Sequence, residues 1–285
     1  MQKGITCNME KDVLKAIIKT ATIKSIINFT DRTLKKKSNF QILDLLMPKE
    51  RKIRSIVGGM ETSMGTTLWE PLAKEIAKAN GFTVVNEKLK KPTIMPASLD
   101  ATLGLIRNDR QNYTNSFNAE SSHQAIKNVC QPFLVNRITE FSKAPTGSGV
   151  DIWLFKDGVD WFFDTKTVQP NVGDFKKFLD QIMNWYAYYY SNKPDGHAEG
   201  RIVFPYNPYD GDFWDKTKAG ARPLTPGLEA WVEDDFWDFL SGYAGTFHLI
   251  KESFAEINQE RTLEASLDKI FDRNASIITP DPDEV

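Results

Sequence analysis

The chain has 285 residues, 41% of them hydrophobic and 26% charged, with a formal net charge of −2. These proportions exclude wholesale disorder, collagen-like repeats and a disulfide scaffold, and no uninterrupted apolar run is long enough to span a membrane. The small net charge hides a gradient. Residues 1–55 carry 13 basic against 5 acidic side chains, whereas residues 228–285 carry 4 against 14. A polyanion-binding face is therefore open at the basic end, beside the plainer reading of a solvated, mixed-charge surface. Cys7 and Cys130 are the only cysteines, without a close histidine, so a zinc site is unsupported. The first residues lack an apolar leader, and a reducing cytoplasm is the expectation.

In chain order, residues 8–55 are predicted helical, since Leu14, Ile17, Ile18 and Ala21 keep the spacing of one helix face. Lys35, Lys36 and Lys37 mark a break, and a second run from Phe40 to Leu46 is expected to end at Pro48. After Gly58-Gly59, a long helix from about Met60 to Ala79 stops at Asn80-Gly81, and a short strand follows at Phe82–Val85. Residues 87–118, with prolines, asparagines and few apolar repeats, are expected to be irregular. Residues 119–142 read as helical around Pro132, and Pro145–Gly149 as a loop. Two strands, Val150–Phe155 and Asp160–Val168, flank Lys156-Asp157-Gly158, where the Asp-Gly step is hairpin chemistry. A helix over 173–191, a strand at Arg201–Phe204, a turn at Pro205–Tyr209 and helices over 234–241 and 247–273 complete the order. The tail from Thr279 to Val285 is expected to fray. This order is an α/β fold with a mixed central β-sheet flanked by helices. It divides into a basic helical region (1–55), a core (56–245) with its irregular excursion (87–118), and an acidic helical region and tail (246–285). The three are read as one elaborated domain.

The hairpin carries the most specific pattern. Asp151 opens its first strand, and Asp164 and Lys166 share one face of the second, because strand side chains alternate. Strand pairing can bring the Asp151 carboxylate beside that of Asp164. Two carboxylates with a neighbouring lysine suit a hard divalent cation, which takes oxygen ligands. Such an ion activates water and offsets charge on a phosphodiester, while the lysine orients the water or stabilises the transition state. The acid-x-Lys pair is unspecific by itself, since about 3.5 matches are expected by chance. Three exist: Glu50–Lys52, Asp164–Lys166 and Asp174–Lys176. Only the second lies inside an apolar strand, where charge is unfavourable unless paired or metal-bound. An ion pair without chemistry, Lys166 with Asp164 or Asp151, stands equally open on spacing alone.

Gly147-Ser-Gly-Val-Asp151 followed by Asp164-Thr-Lys166 resembles the PD-(D/E)XK nuclease signature, with valine in the usual proline position and aspartate as the second acid. Both departures occur among type II restriction endonucleases. Glu61–Glu70 with Pro71–Phe82 resembles the opening of the TdeIII-type restriction endonucleases. Arg201–Tyr209 and Asp235–Gly242 are similar to further segments of those enzymes. The likeness spans about residues 50–245. It implies a PD-(D/E)XK core with N-terminal and C-terminal helical additions. It also implies Mg²⁺-dependent hydrolysis of both strands of double-stranded DNA, Mn²⁺ being able to substitute, with 5′-phosphate and 3′-hydroxyl ends. A homodimer, a cytoplasmic restriction-modification role and a short interrupted palindrome of the GGNCC kind are implied too. So is a cognate DNA methyltransferase, as a functional counterpart and not a physical partner. On this resemblance Asp151, Asp164 and the Thr165 carbonyl hold the ion, and Lys166 positions the attacking water.

Such nucleases often add a glutamate from the helix before the sheet, and Glu61 and Glu70 both qualify. Nine residues apart, they are half a turn out of phase on one continuous helix. Glu61 shares the face of Leu68 and Leu72 and is favoured; a break at Gly65 or Pro71 would bring in Glu70 as the alternate metal ligand. Thr67–Glu70 also fits a capping box. Candidate DNA contacts are Lys143, Thr146 and Ser148, then Lys176 and Lys177, then Arg201, Asn207 and Tyr209 at a strand end, where arginine and asparagine can read bases. Turn formation explains Ser148 and Asn207 equally well. The run Trp185–Tyr190 could stack on bases, although packing on the sheet is the stronger reading. His123, His197 and His248 are dispersed and read as structural or surface. Two rivals stand beside restriction: a repair or structure-selective nuclease of the same fold, and a non-catalytic binding module with an ion-pair network.

Overall fold

The computed structural model describes residues 9–36, 42, 46–167, 170–216 and 221–274. Its helices are α1 (Lys11–Leu34), α2 (Pro48–Thr62), α3 (Glu70–Ala79), α4 (Ala97–Asn112), α5 (Ala119–Cys130), α6 (Val172–Asn192), α7 (Phe213–Lys216), α8 (Asp234–Ser241), α9 (Thr246–Gln259) and α10 (Thr262–Arg273). Its strands are β1 (Thr83–Val84), β2 (Lys90–Pro92), β3 (Phe141–Lys143), β4 (Ile152–Lys156), β5 (Val159–Thr165), β6 (Ala198–Phe204) and β7 (Ala230–Val232). The chain divides into two units, Met1–Ile76 with Leu240–Val285, and Ala77–Phe239.

The first unit is helical. Leu34, Ile56 and Ile270 form a small apolar core. Along α1, Lys11, Lys15 and Lys19 recur every helical turn and meet Glu252 and Glu256 of α9 and Glu260 at its C-cap. Three lysines of the basic end are thus paired with three glutamates of the acidic end. Pro48 opens α2, because a helix's first position needs no N–H. Of that run only Ile42 and Leu46 lie among the described residues, and the tail 279–285 and Cys7 lie outside them. A π-helical turn at Gly65–Trp69 separates α2 from α3. The Thr67 hydroxyl meets Ser63 Oγ at 2.8 Å, so Thr67 sits inside the helical run and caps nothing.

The second unit is built on a five-stranded mixed sheet in the order β1-β4-β5-β6-β7. The β1/β4 and β4/β5 pairs are antiparallel, and β5/β6 and β6/β7 are parallel. Lys156 pairs with Val159 across a two-residue turn, with Asp157 at φ 51° and Gly158 at φ 80°. That is the left-handed conformation which Asp-Gly supplies. A capping box between Asn171 and Asp174 starts α6, whose aromatic run then packs on the sheet. A side chain at Gly200 would meet Trp185 at 3.2 Å and Ile182 at 3.4 Å, so helix and strand approach closely there. On the other sheet face, Trp161, Phe163 and Trp231 pack against Phe236 and Phe239 of α8.

Several sequence expectations change. Residues 87–118 are not irregular throughout, since β2 and α4 lie there, with Leu99, Leu103 and Ile106 buried at helical spacing. The helix expected over 119–142 ends at Cys130, and Phe141–Lys143 is a strand paired with β2. The last helix is interrupted where Arg261 takes φ 53°. No helix among the described residues is long and apolar enough to cross a membrane.

Candidate active site

Asp164 lies in β5 with its residue 3% exposed. An apolar strand buries it because Trp161, Phe162 and Phe163 commit both strand faces to the core. Lys166, just past the strand end, extends the parallel pairing by donating its N–H to the Val203 carbonyl at 2.8 Å. Its Nζ stands 2.5 Å from Asp164 Oδ2 and 5.3 Å from the centre of the Phe178 ring. The approach to Oδ2 is nevertheless out of line, and that buried oxygen has no hydrogen-bond partner. Asp151 sits at the head of β4, where its N–H donates to the Phe163 carbonyl at 3.0 Å. Its Oδ2 accepts the Thr165 N–H at 3.2 Å, the amide directly after Asp164. Asp151, Asp164 and Lys166 are therefore brought together at one end of the β4/β5 pair.

The donors here are carboxylate and main-chain oxygens. Among the described residues no group of three or more His, Cys, Asp and Glu is placed to hold a metal. Two carboxylates with water completing the shell suit Mg²⁺, and the orphaned Asp164 oxygen leaves an acceptor for it.

The other candidates are more scattered. Glu61 is exposed, while the Glu70 side chain is 12% exposed and lies 3.4 Å from Lys74. Both belong to the first unit. Lys143 is exposed on β3, opposite Lys90. Lys176 is half-buried on α6, and Lys177 is 3.7 Å from Asp174. The Ser148 hydroxyl donates to Pro145 at 2.8 Å, holding its own turn. Asn207 does the same, donating to the Gly211 carbonyl at 2.7 Å and accepting the Tyr209 N–H at 2.9 Å. Arg201 is 8% exposed and bound to Glu199 at 3.0 Å and to the Gly200 carbonyl at 2.8 Å. It lies over Trp161 and Trp231, on the face away from Asp164.

The tyrosines of α6 pack and bond to the sheet, as the Gly200 N–H donates to Tyr186 and the Ala198 N–H to Tyr190. His123 stacks on Tyr186 and bonds Tyr190 at 2.7 Å; burial pushes its pKa down to about 4. Burial also pushes the Cys130 thiol up to about 12, leaving it without nucleophilic character. Sequence reasoning missed Gln181 and the part Trp185 plays beyond packing on the sheet: their side chains hold the loop before Asp151. Their partners are main-chain carbonyls, which leave no mark in a residue pattern.

An acid pair with a lysine on a mixed sheet flanked by helices is compatible with a restriction-endonuclease core. The family model for the type II restriction endonuclease HinfI matches residues 6–258. The type II restriction enzyme MjaII of Methanocaldococcus jannaschii is 23% identical over 201 residues, covering 67% of this chain and 51% of that protein. The chain spans about half the length of that curated relative. No solved structure matches it. The chain belongs to the HinfI family of type II restriction endonucleases. The class read from the sequence stands; the matching family is HinfI's, where segments 61–82 and 201–209 suggest the TdeIII type.

Proposed function

We propose that this chain is a Mg²⁺-dependent, sequence-specific endonuclease acting on double-stranded DNA through Asp151, Asp164 and Lys166. The observation that carries the reading is the buried Asp164 oxygen left without an aligned donor although an ammonium stands 2.5 Å away. Asp151 and Asp164, with the Thr165 carbonyl, would hold the ion. Bound Mg²⁺ supplies water activation and offsets charge on the phosphodiester. Lys166, kept near the acids by the Phe178 ring below it, orients the attacking water and steadies the developing charge. Attack on phosphorus with departure of the 3′ oxygen leaves 5′-phosphate and 3′-hydroxyl ends. A homodimer places one such group on each strand, and a cognate methyltransferase protects the host's own sites. Lys143 and Lys176, which no acid of the described residues engages, are the candidate backbone contacts.

Digesting sequenced DNA with Mg²⁺ and mapping the ends tests this reading. Discrete fragments sharing one short sequence at their 5′-phosphate ends support it. Cutting confined to junctions or free ends would favour the structure-selective rival. No cleavage with Mg²⁺ or Mn²⁺ would favour the binding module.

A further inference from the structure

The loop that delivers Asp151 is built from the helix side outward. Ser148 closes a tight turn, with its N–H and hydroxyl both donating to the Pro145 carbonyl at 3.1 and 2.8 Å. Gly147 takes φ +80° there. The next two carbonyls point inward to α6. Trp185 Nε1 donates to the Ser148 carbonyl at 3.0 Å, and Gln181 Nε2 to the Gly149 carbonyl at 3.2 Å. Trp185 is fully buried and Gln181 is 8% exposed, one helical turn apart on α6. In a trans peptide the N–H points opposite to its carbonyl. The Gly149 and Val150 N–H groups are therefore turned away from the helix. Neither has an acceptor among the described residues, and nothing lies within 4 Å of a Cβ at Gly149.

We propose that the Gly149 and Val150 amides form a phosphate-binding edge for the DNA strand, with Gln181 and Trp185 as the positioning residues that hold it outward. The inference rests on the nuclease reading. Two consecutive main-chain donors on a rigid backing make an anion seat, and they need no reorganisation when the anion arrives. The second donor precedes Asp151 by one residue, so a phosphate seated there is delivered to the carboxylate pair. The amides are uncharged and do not compete with Mg²⁺ for it. Gln181 and Trp185 touch neither substrate nor metal and act only through the loop.

The test reads the Val150 amide directly. Gly-Val occurs only at 149–150 and 158–159. Protein labelled with ¹³C at glycine carbonyls and ¹⁵N at valine amides therefore shows two carbonyl-linked signals, and Val159 in the hairpin is the internal reference. The probe is a short labelled DNA duplex of arbitrary sequence with Ca²⁺ in place of Mg²⁺, binding being followed by fluorescence anisotropy. The Val150 signal is expected to move on saturation while Val159 stays in place. Gln181→Leu keeps the side-chain volume and removes the donor; Trp185→Phe removes the donor with part of the buried indole, so it is read beside the unmoved Val159 signal. Each should weaken binding roughly fivefold, the worth of one hydrogen bond, and reduce the Val150 shift without moving Val159. A duplex that binds while Val150 stays fixed would overturn the inference and leave the nuclease reading intact. A chain that neither binds nor cleaves DNA would overturn both.

Discussion

Glu256 of α9 lies 2.7 Å from Lys19 of α1 and also pairs with Lys15 one turn away, joining segments from opposite ends of the chain. Hydrogen bonds from Lys15 and then Lys19 hold the Glu256 carboxyl down to about 2. A depressed carboxylate contributes stability that is present above its ordinary value near 4.5 and lost as pH falls toward 2. Glu256→Gln should therefore lower the melting temperature at pH 7 in dilute buffer. The difference from wild type should shrink as pH approaches 2, and in high salt, because the cluster is partly exposed. Melting curves over pH and salt check this, and a constant difference would contradict it.

Asp164 should behave as a residue kept for function and not for stability. Removing one partner of a buried structural ion pair destabilises by about 3–5 kcal/mol. Asp164→Asn, tested without metal, should instead lose well under that, since the amide keeps the shape of the carboxylate and the Lys166 ammonium, on a side chain 24% exposed, can turn to water. Added Mg²⁺ should raise the wild-type melting temperature by binding the folded state, and leave Asp164→Asn unmoved. A loss on the scale of a broken ion pair would assign the cluster to structure.

His123 is neutral in the folded chain because burial holds its pKa at about 4, well below the ordinary 6.5. Between those values the unfolded chain binds a proton that the folded chain does not. Stability therefore falls as pH drops from 6.5 to 4, by up to about 3 kcal/mol. His123→Phe keeps a ring against Tyr186 and should flatten the melting profile over that window. An unchanged slope would show that other groups set it.

The two helix glutamates should separate in activity. The π-helical turn at Gly65–Trp69 lies between them, so the phase of a continuous α-helix no longer applies. Glu70 has the more buried side chain, and Glu61 is exposed. Glu70→Gln should lower cleavage at least about tenfold, with Glu61→Gln near wild type. Parallel rates on one plasmid substrate decide between them, and the reverse order would favour Glu61.

The hairpin was legible because its turn is written in the residues themselves. Asp157-Gly158 supplies two left-handed positions, after which alternation alone puts Asp164 and Lys166 on one face. Helix α4 was hidden for the opposite reason. Its apolar stripe is short, and Gly104, Asn108, Asp109 and Asn112 dilute it, so burial of Leu99, Leu103 and Ile106 does what local propensity cannot. The charge gradient was visible but not its destination, because the pairing of Lys19 with Glu256 is a tertiary contact between distant segments. Arg201 and Asn207 had the right chemistry for reading bases, yet Glu199 and the 207–211 turn already engage them.

Cleavage of plasmid DNA by Asp164→Ala and Lys166→Ala, with Mg²⁺, tests the central claim most directly. Both variants should lose at least about a thousandfold in rate while still binding DNA in Ca²⁺, since the groups act on the reaction and not on the fold. Wild-type cleavage by either variant would contradict the assignment of Asp164 and Lys166 as catalytic.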